Sequence, residues 1–345
     1  MPVPLPPLTD RASRILLEGL VDYAGLFPPA ALAMPNAVRN YAHYRAAGSG
    51  YILGRFICPA QSLALFSNMA DSLLPRDAGA LPWRLSATAS KDLAGDLAEI
   101  AAFNERHRVC VEECGAKVDA YEIKATSIGD IERIAAATPP DLLTFIEIPL
   151  DGDIDANIAA VARAGRHAKV RMGGTTADMV PSPDAVVRFF AACIVHGVTA
   201  KATAGLHHPL RGTYRLTYEP DAATGRMYGF LNVALAVAHL ESGGSEAEAI
   251  ALLEEGIETY PDNRLMRFNF GRILVQVGRL EEARVQFQQL AQMEPDDYET
   301  LYSLALLELE LDSLDAARSY LIRILNAGVR MNESHYYLGY IDENQ

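Results

Sequence analysis

The amino-acid sequence predicts an α/β fold, barrel-like and of the (β/α) type, followed by an all-α helical-repeat region. Three observations lead there. Residues 50–205 alternate short β-type runs with amphipathic helical stretches. Several of those runs carry one apolar and one charged face. From about residue 241 the chain repeats its pattern every 34 residues. The boundary is therefore placed between 1–240 and 241–345, with the first repeat helix beginning as early as 229.

The β-type runs are 51–58, 83–89, 120–126, 142–150, 168–173 and 198–204, with helical segments at 92–107, 128–137, 154–164 and 183–196 between them. Such alternation implies parallel strands joined by crossover helices. Side chains on a strand point to alternate faces. In 83–89 one face is Trp83, Leu85 and Ala87, and the other Arg84, Ser86 and Thr88. In 120–126, Tyr121, Ile123 and Ala125 oppose Glu122, Lys124 and Thr126. Val170 and Met172 oppose Lys169 and Arg171, and alanines oppose Thr199, Lys201 and Thr203; Glu147 shares a face with Phe145. A doubly wound sheet buries both faces and reads as unbroken apolar runs. A barrel turns its polar set inward, toward a site at the carboxyl ends of the strands. Six runs are countable where closure needs eight, and 214–218 is the candidate seventh. An incomplete barrel, a gap filled by the helix at Gly229, and an open sheet are the alternatives.

The repeats are read from Ala249, Ala283 and Ala317; from Leu253, Phe287 and Leu321; from Pro261 and Pro295; and from Gly271, Ala305 and Gly339. Small residues let paired helices approach, bulky ones fill the space between them, and proline stops the second helix. This pattern resembles the tetratricopeptide repeat, which implies a helical array offering a groove to a protein or peptide partner. A helical appendage that only shields its neighbour is the other reading.

Composition bounds the partners. Residues 241–345 hold 20 Asp and Glu against eight Arg and no Lys, so nearly all of the net charge of -14 lies there. Nucleic acid and anionic membranes are poor partners for such a surface. The opening MPVPLPPL lacks the pattern of a signal peptide, and no apolar stretch is long enough to span a bilayer. Cys58, Cys110, Cys114 and Cys193 are scattered without zinc-ligand spacing, which suits reduced thiols in a cytoplasmic protein.

Chemistry concentrates in the segment from Thr199 to Gly212, which runs TAKATAGLHHPLRG. Lys201 lies in an apolar strand, where desolvation is expected to lower its pKa toward a usable amine. Its Lys-x-Thr-x-Gly pattern resembles the deoxyribose-phosphate aldolase group of Schiff-base aldolases, over about 25 residues. The resemblance implies that Lys201 attacks a substrate carbonyl. The second lysine and the phosphate-binding glycine turn of that group have no counterpart here. Glu147 is the expected acid/base, and Lys124 lowers the pKa of Lys201 or pairs with Glu147. Arg171 with Gly173 and Gly174 suits a substrate anion, a small anionic or carbonyl compound. Arg84 joins them on the inward face. His207 follows as a general acid, with His208 and Arg211 beside the substrate. No metal or cofactor is implied, and His167 and His196 read as helix caps.

The run from Val21 to Ala30, VDYAGLFPPA, reads as an apolar plug at the barrel bottom, or as a flap placing Asp22 or Tyr23 on substrate. Together with KATAGLHHP it resembles a family of uncharacterised bacterial proteins, whose C-terminus does not look like these repeats. The leading expectation is a carbonyl-directed lyase. A non-covalent isomerase using Glu147 and Lys124, and a non-enzymatic interaction protein, are the alternatives.

Overall fold

The computed structural model describes residues 17–76, 81–108, 115–219, 221–255, 264–276 and 278–344. Cys110, Cys114, Pro261 and the opening MPVPLPPL lie outside the described residues. Contacts divide the chain after Gly256.

The unit Leu17–Gly256 is built on seven parallel strands: β1 (Val21–Tyr23), β2 (Leu53–Pro59), β3 (Trp83–Thr88), β4 (Ala116–Lys124), β5 (Leu143–Glu147), β6 (His167–Arg171) and β7 (Ala200–Thr203). They lie side by side in chain order. The helices between them are α1 (Met34–Ala46), α2 (Leu63–Ala70), α3 (Leu93–His107), α4 (Ile128–Ala137), α5 (Ile154–Arg163) and α6 (Pro183–Val195). Right-handed crossovers taken always in the same direction put every helix on one face of the sheet. Asp92, Ser127, Asp153 and Ser182 cap α3 to α6 by accepting first-turn backbone N–H bonds, which fixes where each helix starts.

The helix-side core holds Tyr41, Phe56, Phe66, Trp83, Leu85 and Phe103. Trp83 and Leu85, with Ala87 and Tyr121 in the same core, belong to the apolar sets read for β3 and β4, so that face assignment holds. Phe56 comes from β2, and Tyr41, Phe66 and Phe103 come from α1, α2 and α3. The opposite face is charged, and it is curled. Lys201 on β7, the last strand, donates a hydrogen bond to Asp22 on β1, the first, at 2.5 Å. Side chains from the two ends of the strand order meet only if the sheet wraps around them. Among the described residues β1 and β7 share no backbone pairing, so the barrel is curled but open.

The strand count differs from expectation at both ends. The first strand is Val21–Tyr23, within the run read as a plug, because three residues are too few to show a period of two. The segment 214–218 supplies no parallel strand. Instead β8 (Gly212–Arg215) pairs antiparallel with β9 (Thr224–Met227) as a separate hairpin. A register shift in the β3–β4 pairing takes Leu85↔Val118 to Ser86↔Ala120, leaving Asp119 as an extra residue on β4.

Helices α7 (Phe230–Glu241) and α8 (Glu246–Glu255), expected to open the repeats, pack against α6 and each other within this unit. The backbone N–H of Arg211 donates to Asn232 Oδ1, and Asn232 Nδ2 donates to the Leu252 carbonyl, tying the loop after β7 to both helices.

The second unit contains α9 (Arg264–Gln276), α10 (Leu280–Met293), α11 (Tyr298–Glu310), α12 (Leu314–Asn326) and α13 (Met331–Asn344). Helix starts at 230, 264 and 298, and at 246, 280 and 314, each recur at the 34-residue step. The recurring Ala249, Ala283, Ala317, Leu253, Phe287 and Leu321 are all buried. A Cβ on Gly271 would meet the Phe287 ring at 2.7 Å, which is why a small residue stands there. Ion pairs repeat too: Arg284–Glu308 at 2.9 Å recurs as Arg318–Asp342 at 2.6 Å. So does the turn geometry, since Gly278 at φ +76° becomes Asp312 at φ +56°. Aspartate is among the few side chains that enter this region readily.

Candidate active site

Strand register gathers the charged face into rows. Lys124 on β4 lies opposite Glu147 on β5, Glu147 opposite Lys169 on β6, and Lys169 opposite Lys201 on β7. Three of these four were named from the sequence. Glu122 stands one pleat below, opposite Phe145, and reaches up between the two inner lysines.

The resulting network alternates in sign. Lys201 Nζ donates to Asp22 Oδ2 at 2.5 Å and to Glu122 Oε1 at 2.8 Å. The other oxygen of Glu122 pairs with Lys169 at 3.1 Å, and Lys169 pairs with Glu147 at 3.0 Å. Arg171 Nε lies 3.7 Å from Glu147. Ser86 Oγ donates to Glu122 at 2.8 Å, and the Phe145 ring lies 5.3 Å from Lys201 Nζ. All but Arg171 are largely shielded from water. Arg171 keeps 46% of its side chain exposed.

Burial alone raises the pKa of the Glu122 carboxyl, but Lys201 and Lys169 overcome it and lower it to about 2. Burial pulls the Lys201 ammonium down, and the Glu122 and Asp22 carboxylates outweigh it, so its pKa is raised above the ordinary lysine value. This corrects the expectation of a desolvated, low-pKa amine. Burial of Lys201 was readable from its strand. The two carboxylates that reverse the sign come from β1 and β4, distant in sequence and not adjacent in the sheet.

The other expected residues divide by position. Lys124 is exposed at the carboxyl end of β4 and forms no ion pair among the described residues, so the expected pairing with Glu147 is not made. Glu147 pairs with Lys169 and Arg171, not directly with Lys201. Arg84 lies near the amino end of β3, where it and Arg55 both bind Asp119, at 2.6 and 2.7 Å. That cluster sits at the opposite end of the strands from Arg171, and the bulge at Asp119 supplies its carboxylate.

Gly173 and Gly174 have packing reasons. A Cβ on Gly173 would meet the Gly205 Cα at 2.9 Å, and one on Gly174 would collide with Met179. His207 is exposed in the loop after β7. His208 stacks on Tyr214 with ring centroids 3.5 Å apart. Arg211 lies over the Tyr228 ring and bonds Glu254 at 3.3 Å, so the loop–helix junction holds it. His167 opens β6 against Phe145 instead of capping a helix, while His196, at the end of α6, bonds Asp155 at 3.0 Å.

Glu122 and Lys169 are not among the site residues read from the sequence, and Asp22 enters there only through the alternative in which its run is a flap over the substrate. Glu122 and Lys169 share the inward alternation of Lys124 and Arg171, a signal present but not followed. Among the described residues no three His, Cys, Asp or Glu side chains are grouped to hold a metal ion, and no helix is long and apolar enough to cross a membrane. The chain matches no family model, and no curated protein matches it.

Proposed function

We propose that the α/β unit is a carbonyl-directed enzyme whose chemistry centres on Lys201, acting on a small anionic substrate by non-covalent proton transfer. The observation that carries this reading is the state of Lys201, an ammonium clasped by Asp22 and Glu122 inside the curl. A shielded ammonium can donate a hydrogen bond to a carbonyl oxygen and stabilise the enolate that forms when a neighbouring carbon loses its proton. Glu147, in the same row, is the carboxylate that takes that proton. Glu122, lowered to about 2, is too weak a base for the task. Arg171, the most open cation of the ion-pair network, receives the substrate's anionic group.

A Schiff-base lyase is the second reading. Its support is the resemblance around Lys201. The test uses a panel of small 2-oxo acids and hydroxyaldehydes in D2O, with exchange of the carbon-bound proton followed by NMR. Non-covalent transfer predicts exchange by the wild type, partial exchange by Lys201→Arg, none by Lys201→Met, and no borohydride-trapped adduct. A trapped adduct on Lys201, with Lys201→Arg inert, favours the lyase. Exchange that survives Lys201→Met rejects both.

For the helices beyond Arg264 we propose tetratricopeptide-type repeats that bind a protein or peptide partner. The 34-residue recurrence of helix starts, buried alanines and ion pairs supports this.

A further inference from the structure

We infer that Gly54 is a positioning residue, whose missing side chain lets the Asp22 carboxylate lie on β2 and reach Lys201. The inference deepens the reading of Lys201 as the central cation and rests on it. It begins with how short β1 is. Three residues hold Asp22 in place, and its carboxylate divides its oxygens between two jobs. Oδ1 accepts the backbone N–H of Arg55 at 2.6 Å, and Oδ2 accepts from Lys201. The first bond requires the carboxylate to rest directly against the β2 backbone at residue 54.

Any Cβ at that position would collide with Asp22 Oδ1 and would also meet the Gly19 carbonyl at 2.8 Å. Both obstacles belong to the β1 side, so both would drive Asp22 away from the curl. The β2 backbone cannot give way instead. Its Gly54 carbonyl accepts the Tyr41 hydroxyl at 2.8 Å, and Tyr41 is fully buried among Tyr23, Phe56 and Trp83. Gly54 has no positive φ, so its backbone conformation is open to alanine and the requirement is one of space alone.

Gly54 touches neither Lys201 nor any position assigned to substrate, and it acts only through Asp22. The chain has five lysines, so the Nζ resonance of Lys201 in full-length 15N-lysine-labelled protein is assignable from the Lys201→Arg variant. Its titration requires no substrate, so failure here is separate from failure of the proposed activity. Removing an opposite charge at this range shifts a pKa by about 1–3 units. The Lys201 midpoint is expected to fall by about one unit or more in Asp22→Asn, and likewise in Gly54→Ala. The double variant should fall no further than Asp22→Asn alone, because both changes remove the same contact. An unchanged midpoint in Gly54→Ala, or additive shifts in the double variant, overturns the inference. Should Gly54→Ala fail to fold, Asp22→Ala/Gly54→Ala decides. Recovery of the fold identifies the carboxylate as the obstacle, and continued failure places it at Gly19 and overturns the inference.

Discussion

Both units of the chain are laced with ion pairs, but the pairs follow different logic. In the repeats they join neighbouring helices and recur with the 34-residue period, as Arg284–Glu308 and Arg318–Asp342 do. Their exposure differs: Arg318–Asp342 is open, at 31% and 64% of the two side chains, whereas Arg284–Glu308 buries its carboxylate to 4%. On the charged face of the α/β sheet the pairs converge from β1, β4, β5, β6 and β7 on one shielded centre, where Glu122 is 4% exposed. An exposed pair such as Arg318–Asp342 contributes about 0–1 kcal/mol, and the repeat pairs stand singly, each joining one helix to the next without gathering charge at one place. Buried pairs cost desolvation that attraction seldom repays with much to spare. A network of them inside a barrel is therefore weak evidence for stability and better evidence for a site.

The comparison is broken most forcefully at Glu122. Glu122→Gln leaves Lys169 and Lys201 buried with one carboxylate fewer, and a loss of about 3 kcal/mol is expected. Trp83, the only tryptophan, is 5% exposed in the α/β core, so its fluorescence during urea unfolding reports that unit. Acid provides a second reading. The Glu122 pKa is lowered from 4.5 to about 2, so its contribution is complete above pH 4.5 and drains away as pH falls toward 2. Glu122→Gln should flatten stability across that window. An unchanged midpoint in urea, with an unchanged acid profile, would show that the network carries no such energy.

How much of this was readable in advance follows from the range of each interaction. The alternation of Glu122 and Lys124, or of Lys169 and Arg171, is a property of a few consecutive residues, and it gave the inward face correctly. The repeat phase is readable from the spacing alone, and the positions it marks at Ala249, Ala283, Ala317, Leu253, Phe287 and Leu321 are buried. Asp22 was obscured because β1 is only three residues long and sits beside a glycine- and proline-rich run. The protonation state of Lys201 was misjudged because its partners arrive from β1 and β4. Burial is written in a strand's composition, whereas its compensation is written elsewhere in the chain. The contact division after Gly256 follows packing that the repeat phase does not show. Helices α7 and α8 carry the repeat phase but pack on α6.

A smaller effect is expected within the repeats at Gly271. Its Cβ would enter the space of the Phe287 ring at 2.7 Å. Phe287 is 1% exposed and has little room to turn. Overpacking of this kind costs about 1–3 kcal/mol. Circular dichroism of Gly271→Ala should lose helical signal at lower urea than the wild type, while the Trp83 transition stays in place. A shift of the Trp83 transition with an unmoved helical signal would contradict the packing role.

The smallest expected effect has the opposite sign and sharpens the comparison within a single repeat phase. Gly339 occupies the same phase as Gly271, two periods later, inside α13. A Cβ there meets nothing within 4 Å, and its φ is not positive. The reason for a small residue at Gly271 is therefore absent at Gly339, and only the helical penalty of glycine remains. Alanine is favoured over glycine in a helix interior by about 1 kcal/mol. Gly339→Ala should raise the urea midpoint of the helical signal modestly, while Gly271→Ala lowers it. If Gly339→Ala destabilises α13 instead, the space around that position is not open in the folded chain, and the contrast with Gly271 fails. Equal losses at both glycines would mean that the repeat phase, rather than the local neighbour, sets the demand.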